Sequence, residues 1–335
     1  MSQDRAFAQE HRLISTAIIS HNDVADFAAN KVNLKREDAL DYRAQVARLR
    51  EKMEAFTKDH PDSPLIKMLI SGSLAKGTAL KTLNDIDVAV YVKASEAPGS
   101  EADLLNWLAE RLREAYPQMA APQIQPGNHA VCVSFSGSGL DVDVIPVHYS
   151  GLPDDRGQLY SKDSGKLILT SIPLHLTFIR KRKQAQPDHY AQVIRLAKWW
   201  ARYRKANDSS FRCKSFLIEL LCAHLADSGV AFSDYPVALE SFFTYIVKSR
   251  MMDRISFTDH YSAAKLPKER VSVIEVFDPV NEENSIVASY TEFDRQALCN
   301  AAEEALDSLS EARFATTKER AVDCWRGVLG PSFLR

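Results

Sequence analysis

The most constraining feature of this chain is the segment SGSLAKGTALKTLNDIDVAVYVK, which begins at Ser71. Its Gly72-Ser73 pair stands at a predicted helix start, where backbone N–H groups and a hydroxyl can bind a phosphate. Asp85 and Asp87 then enter an apolar run that predicts a β-strand. Because residues i and i+2 of a strand project from one face, the two carboxylates lie side by side and repel unless cations lie between them.

A second pair of aspartates follows on a predicted β-hairpin. Residues 130–135 predict one strand, 136–139 a turn and 140–147 the partner strand, in which Asp141 and Asp143 share one face. If this partner strand lies beside the first acidic strand, it brings a third carboxylate to the same place. Side-by-side carboxylates that face a phosphate-binding turn can hold divalent cations against a nucleotide. The pattern therefore predicts a metal-dependent site for nucleotidyl transfer.

The order of these motifs resembles the DNA polymerase β-like nucleotidyltransferases, whose pattern is Gly-Ser, a short helix, Asp-x-Asp and a later single aspartate on a neighbouring strand. In the branch with the oligoadenylate synthetases and the cGAS/DncV-like enzymes, two apolar residues and a proline follow that last aspartate. Asp143, which is followed by Val-Ile-Pro, fits this pattern, whereas Asp141 does not. The resemblance thus implies that Asp85, Asp87 and Asp143 are the catalytic residues and bind two Mg²⁺ ions, for which Mn²⁺ can substitute.

Two predicted helices in the second half of the chain extend the resemblance. The run AQVIRLAKWW resembles the helix that supplies a lysine to the donor triphosphate in oligoadenylate synthetases, and Lys198 matches that lysine. A lysine suits this role because its point charge can follow a polyphosphate as pyrophosphate leaves. A solvent-facing helical lysine is the alternative interpretation. Ser215 matches the hydroxyl residue that contacts the triphosphate in cGAS/DncV-like enzymes, and Gly72 and Ser73 complete the implied nucleotide-binding set.

The length and the patterning of the chain fit two packed units. Its 335 residues, of which 45% are hydrophobic, are enough for two cores around a shared cleft. Most of the chain after Pro146 has a helical period, and we predict a nucleotidyltransferase domain over 1–170 and a helical nucleotide-pocket domain over 171–335. The resemblance implies that the N-terminal helix, predicted over 36–58, is a spine across both lobes.

The predicted fold class is therefore α+β. It combines a polymerase β-like nucleotidyltransferase domain, in which helices flank a mixed sheet, with a mainly helical domain like that of the oligoadenylate synthetases. The resemblance places the active site in the cleft between the two domains.

The charge and the cysteine content of the chain limit which partners it is expected to bind and in which compartment it is expected to occur. The formal net charge of −2 and the pI near 6.5 argue against a dominant nucleic-acid surface, so we interpret the basic run at 180–183 as a solvated linker. The five cysteines form no CxxC pair, which is typical of reduced thiols in a cytoplasmic protein. No apolar run reaches membrane-spanning length, and the first residues lack a signal-peptide pattern. We expect a cytoplasmic protein with neither a membrane nor an obligatory nucleic-acid partner.

Residue chemistry alone predicts nucleotidyl transfer, and the resemblance makes that prediction more specific. It implies a bacterial cGAS/DncV-like nucleotidyltransferase that condenses NTPs, ATP among them, into a cyclic di- or trinucleotide second messenger of CBASS anti-phage defence. It also implies an activator of HORMA type or a C-terminal conjugation machinery, and a downstream effector that binds the product. Two alternatives stay open: a template-independent RNA-tailing, tRNA CCA-adding or linear oligoadenylate-synthesising enzyme, and a non-catalytic nucleotide-binding scaffold.

Overall fold

The computed structural model describes residues 18–60, 63–83 and 85–335. These residues form the helices α1 His21–Phe27, α2 Arg36–Asp59, α3 Gly72–Lys76, α4 Glu101–Ala115, α5 Ile172–Ala185, α6 Tyr190–Asn207, α7 Ser215–Asp227, α8 Tyr235–Ser249, α9 Glu292–Arg313 and α10 Lys318–Leu329. They also form the strands β1 Leu65–Ile70, β2 Asp85–Lys93, β3 Ile124–Pro126, β4 Val131–Phe135, β5 Leu140–Tyr149, β6 Gly157–Tyr160, β7 Leu167–Thr170, β8 Arg254–Ile255, β9 Glu275–Asp278 and β10 Asn281–Ser285. Across the three described ranges, no helix combines the length and the hydropathy that a membrane crossing requires.

The larger sheet carries the acidic segment on its central strands. Its strand order is β1-β2-β5-β4-β3, and the β6–β7 hairpin extends from β5. β2 and β5 pair in parallel, whereas β1 pairs with β2, and β4 with β5, in the antiparallel direction. The sheet is therefore mixed, as predicted. The hairpin predicted over 130–147 is also confirmed, since β4 and β5 are antiparallel neighbours.

The two faces of β2 differ, and this difference keeps the acidic residues out of the main core. On one face, apolar residues pack together with α2 and α4; the β2 members are Ile86, Val88, Val90 and Val92. On the opposite face, which we call the open face, Ala89 and Tyr91 pack against Val147 at one end. Asp85 and Asp87 stand at the other end of the open face. A shift by one residue would turn both carboxylates into the main core, so the register is strongly specified.

The described chain packs into two compact units, which we call the sheet unit and the helical unit. The sheet unit contains residues 34–185 and 254–289, and the helical unit contains residues 18–33, 186–253 and 290–335. This division differs from the predicted ranges of 1–170 and 171–335, because α5 and the segment 254–289 pack with the sheet. α2 lies within the sheet unit, and its role as a spine across both lobes stays a prediction.

Side-chain contacts tie the segment 254–289 to the sheet unit. Asn281 donates from Nδ2 to the carbonyl oxygen of Leu169 at 3.2 Å. His175 on α5 lies 2.8 Å from Asp278, measured from Nε2 to Oδ1. The partners in each pair are more than one hundred residues apart in the chain. Local sequence patterns could not place the segment for that reason.

The basic run at 180–183 belongs to α5, so its interpretation as a solvated linker is wrong. Arg182 is buried, donates to Asp259 at 2.9 Å and lies over the Phe178 ring at 3.7 Å. Lys183 reaches the end of α3, where its Nζ lies 3.0 Å from the position that a Cβ on Gly77 would occupy. At least two of the four basic side chains therefore pack within the sheet unit.

The helical unit is built around an aromatic core. Trp200 of α6 is fully buried, and its ring centroid lies 4.9 Å from that of Phe243 on α8. Trp325 of α10 stacks on Phe333, with ring centroids 5.4 Å apart. The helix predicted from AQVIRLAKWW is confirmed as α6, and the helical character predicted for the later part of the chain is confirmed by α6 to α10.

Candidate active site

Four aspartates form a block on the open face of the large sheet. β2 and β5 pair in parallel, with Asp87 opposite Asp143 and Asp85 opposite Asp141. Directly paired residues on neighbouring strands share one face, at a strand spacing of about 4.8 Å. Asp143, the aspartate with the Val-Ile-Pro context, is thus the direct cross-strand neighbour of Asp87.

The charges in this block are close enough to change a pKa. Burial raises the pKa of Asp143 above its ordinary value of 3.8, and the negative charges of Asp85 and Asp87 raise it further. The positive charge of Lys162 opposes this shift in the pKa of Asp143. Gathering carboxylates on one face therefore costs free energy, which a nearby cation offsets.

Lys162 is a cation near the block that is not among the predicted site residues. It is exposed in the turn between β6 and β7. No local motif marks it, since its position depends on the pairing of β6 with β5 through Gln158 and His148. A basic residue at the tip of a hairpin can be assigned to the acidic block only once the pairing of the strands is known.

The Gly-Ser turn packs directly against Asp87. The backbone N–H of Ser71 donates to the carbonyl oxygen of Asp87 at 2.9 Å. Gly72 has a φ of +62°, and a Cβ at this position would lie 1.9 Å from Oδ2 of Asp87. Only glycine fits here, because any side chain would meet the carboxylate. Ser73 follows in the first turn of α3, and its carbonyl oxygen accepts from the N–H of Thr78 at 2.9 Å, which closes the turn.

The block of carboxylates suits a hard divalent cation. Mg²⁺ is usually held by one or two carboxylates together with substrate phosphates and water, rather than by a complete protein shell. Within the part of the chain that the structure describes, no three His, Cys, Asp or Glu side chains form a group that could hold a metal ion. The adjacency of Asp87 and Asp143 beside the Gly-Ser turn fits the partial shell that Mg²⁺ takes. It does not fit a structural zinc site, which needs four Cys or His ligands.

Lys198 is buried in the helical unit rather than facing solvent. Its side chain is 5% exposed, and its Nζ lies 2.6 Å from Oε1 of Glu219, whose side chain is 3% exposed. The alternative interpretation, a solvent-facing helical lysine, is therefore wrong. Glu219 is not among the predicted site residues, although a lone carboxylate in the apolar run LIELLC indicates a buried partner.

Ser215 is the first residue of α7 and is exposed. The start of this helix is fixed by a hydrogen bond, in which the backbone N–H of Lys214 donates to the hydroxyl oxygen of Tyr290 at 2.9 Å. The guanidinium of Arg212 lies 4.7 Å from the centre of the Tyr290 ring. The predicted site residues therefore fall into two groups: Gly72, Ser73, Asp85, Asp87 and Asp143 in the sheet unit, and Lys198 and Ser215 in the helical unit.

Comparison with known proteins agrees with this geometry. The family model described as a nucleotidyltransferase domain matches residues 49–119, which contain the Gly-Ser turn and β2. The chain is 49% identical to the cyclic AMP-AMP-AMP synthase of Escherichia coli strain MS 115-1, over 96% of this chain and 99% of that protein. It is 28% identical to the CBASS oligonucleotide cyclase CdnC of Escherichia coli strain KTE188, over 94% of this chain and 98% of that one.

Solved structures give the same assignment. The structure of Escherichia coli MS115-1 CdnC with ATP has a TM-score of 0.91 at 49% identity, and the match covers 95% of this chain and 100% of that one. A complex of that cyclase with HORMA-deltaN has a TM-score of 0.90 at 49% identity, covering 95% and 99%. The predicted α+β fold class and the predicted enzyme class are confirmed. The chain belongs to the cGAS/DncV-like nucleotidyltransferases, in the group of the CBASS oligonucleotide cyclases.

Proposed function

We propose that this chain joins three ATP molecules into cyclic AMP-AMP-AMP. The observation that carries the proposal is the 49% identity, over nearly the whole chain, to a protein named for that product. The pairing of Asp87 with Asp143 beside Gly72 supplies a place for the chemistry. In each transfer, a ribose hydroxyl of the acceptor bonds to the α-phosphorus of the donor, and pyrophosphate leaves. The third transfer closes the ring.

The carboxylates of Asp85, Asp87 and Asp143 are the proposed ligands of two Mg²⁺ ions. Enzymes of this family use divalent metal ions. When bound, such ions lower the pKa of the acceptor hydroxyl and neutralise charge on the departing pyrophosphate. The three side chains stand on two paired strands of one sheet, so their main contribution in this proposal is to position the reacting groups.

The remaining site residues bind and orient the donor nucleotide in this proposal. Gly72 lets phosphates approach the carboxylate of Asp87, because it has no side chain there. Ser73 offers a hydroxyl in the first turn of α3. Lys198 and Ser215 contact the donor triphosphate. In phosphoryl-type transfer the protein forms no covalent bond to the substrate in this proposal. Contacts that position the nucleotide and stabilise its charge therefore account for most of the rate acceleration.

A HORMA-type protein is the proposed activator. The related cyclase of Escherichia coli MS115-1 forms a complex with HORMA-deltaN, and this chain matches that cyclase at 49% identity. Activation through a conjugated C-terminus stays a prediction. A downstream effector that binds the product also stays a prediction.

Incubation with labelled ATP and Mg²⁺ tests the proposed function. We expect a product that survives phosphatase, because a ring has no terminal phosphate, and a mass equal to that of three AMP units joined in a cycle. The reaction is run with and without a HORMA-type protein. The Asp85→Ala/Asp87→Ala variant is the matched control and should form no product.

Two other results would overturn the proposal. A phosphatase-sensitive product would identify a linear oligoadenylate synthase. A strict requirement for added RNA would instead favour an RNA-tailing enzyme.

A further inference from the structure

The Lys198–Glu219 ion pair is unusual because both of its members are buried. Nζ and Oε1 are 2.6 Å apart, and the two side chains are 5% and 3% exposed. Their neighbours along α6 and α7 are apolar and buried; they are Leu196, Ala197, Leu220, Leu221 and Cys222. Withdrawing two charges from water costs free energy, and apolar residues of similar size often stabilise a core at least as well. Packing alone therefore does not account for the pair.

Glu219 links Lys198 to the start of α7. Ser215 and Glu219 are four residues apart on this helix, so they lie on one face and one turn apart. Ser215 is exposed and Glu219 is buried, so this face passes from solvent into the core within one turn. Glu219 thus holds the ammonium group of Lys198 about one turn below an exposed hydroxyl.

We propose that Glu219 is a positioning residue for the donor triphosphate, which holds the Lys198 ammonium group directed towards the first turn of α7. A lysine ammonium has three N–H donors, so it can bind a carboxylate and phosphate oxygens at the same time. Holding the long lysine side chain in place before binding lowers the entropy that nucleotide binding must otherwise cost. The inference rests on the proposed function, in which Lys198 and Ser215 contact that triphosphate.

Three variants test the role of Glu219: Glu219→Gln, Lys198→Met and the double variant Lys198→Met/Glu219→Leu. The control is Glu304→Gln, which removes a carboxylate from an exposed ion pair with Arg204 in the same unit. ATP affinity is measured by calorimetry with Mg²⁺ present, kcat and KM from pyrophosphate release, and folding from thermal unfolding. We expect Glu219→Gln to weaken ATP binding and to lower kcat/KM about 10- to 100-fold, as other losses of an orienting partner do. The control should stay within about twofold of wild type, since exposed pairs contribute little.

The double variant tests whether the ion pair contributes to nucleotide binding or only to the packing of the core. Lys198→Met/Glu219→Leu removes both charges and keeps the volume, so we expect a folded protein with a Tm close to that of wild type. Its ATP affinity and kcat/KM should equal those of Lys198→Met, because Glu219 acts through Lys198 and the two losses do not add. If the whole ion pair, Lys198 included, serves stability alone, the folded double variant keeps the affinity and turnover of wild type.

The outcomes that overturn the inference are distinct from those that overturn the proposed function. A folded Glu219→Gln protein with wild-type ATP affinity and KM overturns it, and so does a double variant with wild-type affinity. If Glu219→Gln does not fold, Glu219→Asp decides by the same comparison with wild type, because it keeps the charge but draws the carboxylate back from Lys198 by one methylene. If wild type binds ATP but forms no cyclic product, the proposed function fails while the affinity comparison still tests Glu219. Absence of ATP binding to wild type contradicts both.

Discussion

On the sheet unit, like charges are gathered on one face, whereas in the helical unit two opposite charges neutralise each other inside the core. Burial of Asp143, together with the negative charges of Asp85 and Asp87, raises the pKa of that carboxyl. Lys198 and Glu219 are instead paired at 2.6 Å and almost fully buried. The first arrangement costs free energy that a nearby cation such as Lys162 offsets in part, and the second offsets its own charges. The two units therefore differ in how they hold charge: like charges repel on the face of the sheet, whereas opposite charges attract inside the helical core.

Removing the like charges should have the largest effect on activity and little on folding. We expect Asp85→Ala/Asp87→Ala to lower product formation by at least about 1,000-fold, because the proposed metal ligands are lost. The free energy of unfolding should stay equal to that of wild type or rise, since repulsion with Asp143 disappears. Product from labelled ATP and urea unfolding measure the two quantities. Retained turnover in the double variant would show that the acidic block is not the site of reaction.

Filling the space beside Asp87 should reduce both activity and stability. In Gly72→Ala the new Cβ would lie 1.9 Å from Asp87 Oδ2, at a φ of +62° that favours glycine. We expect a loss of about 1–3 kcal/mol in the free energy of unfolding. We also expect a fall of about 100-fold in turnover, because the carboxylate must move.

Gly137→Ala is the matched control for this substitution, since a Cβ there meets nothing within 4 Å. It should unfold and turn over ATP like wild type. Equal behaviour of the two variants would contradict the close packing of the Gly-Ser turn on Asp87.

The raised pKa of Asp143 predicts a pH dependence of stability in metal-free buffer. Between the unfolded pKa of 3.8 and the higher folded pKa, the native state binds more protons than the unfolded state. The free energy of unfolding that this group contributes is therefore present below pH 3.8 and is lost as the pH rises through that window. Asp143→Asn cannot ionise and lacks this loss, so its stability relative to wild type should increase with pH.

Urea unfolding of wild type and Asp143→Asn, at about pH 3 and about pH 7 with a chelator present, measures this difference. Added Mg²⁺ should reverse it by stabilising the ionised wild type. A difference between the two proteins that does not change with pH would contradict the charge repulsion in the block.

Breaking the exposed ion pair in the helical unit should have the smallest effect on the free energy of unfolding, which distinguishes this pair from the buried one. Arg204 and Glu304 are 2.7 Å apart, but their side chains are 28% and 62% exposed. We expect Glu304→Gln to change the free energy of unfolding by less than about 1 kcal/mol, and by less still at high salt. Urea unfolding at two salt concentrations measures it. A loss as large as that of Glu219→Gln would mean that burial does not distinguish the two pairs.

Much of the sheet unit near the acidic block could be predicted because its signals are local. The alternation of β2 places Asp85 and Asp87 on one face whatever the rest of the fold does. The hairpin of β4 and β5 follows from two apolar runs joined by a glycine-containing turn. The roles of the seven predicted site residues stay predictions.

Local sequence patterns are enough to predict the order of the motifs and the faces that their side chains share, and the resemblance predicts the family. The packing of distant elements places Asp143 opposite Asp87 and Lys162 near the block. It also makes Glu219 the partner of Lys198 and packs segment 254–289 with the sheet. The difference arises from the distance along the chain over which each interaction acts. Periodicity and turn chemistry act over a few residues, whereas strand register between distant segments and the pairing of buried charges depend on how whole elements pack.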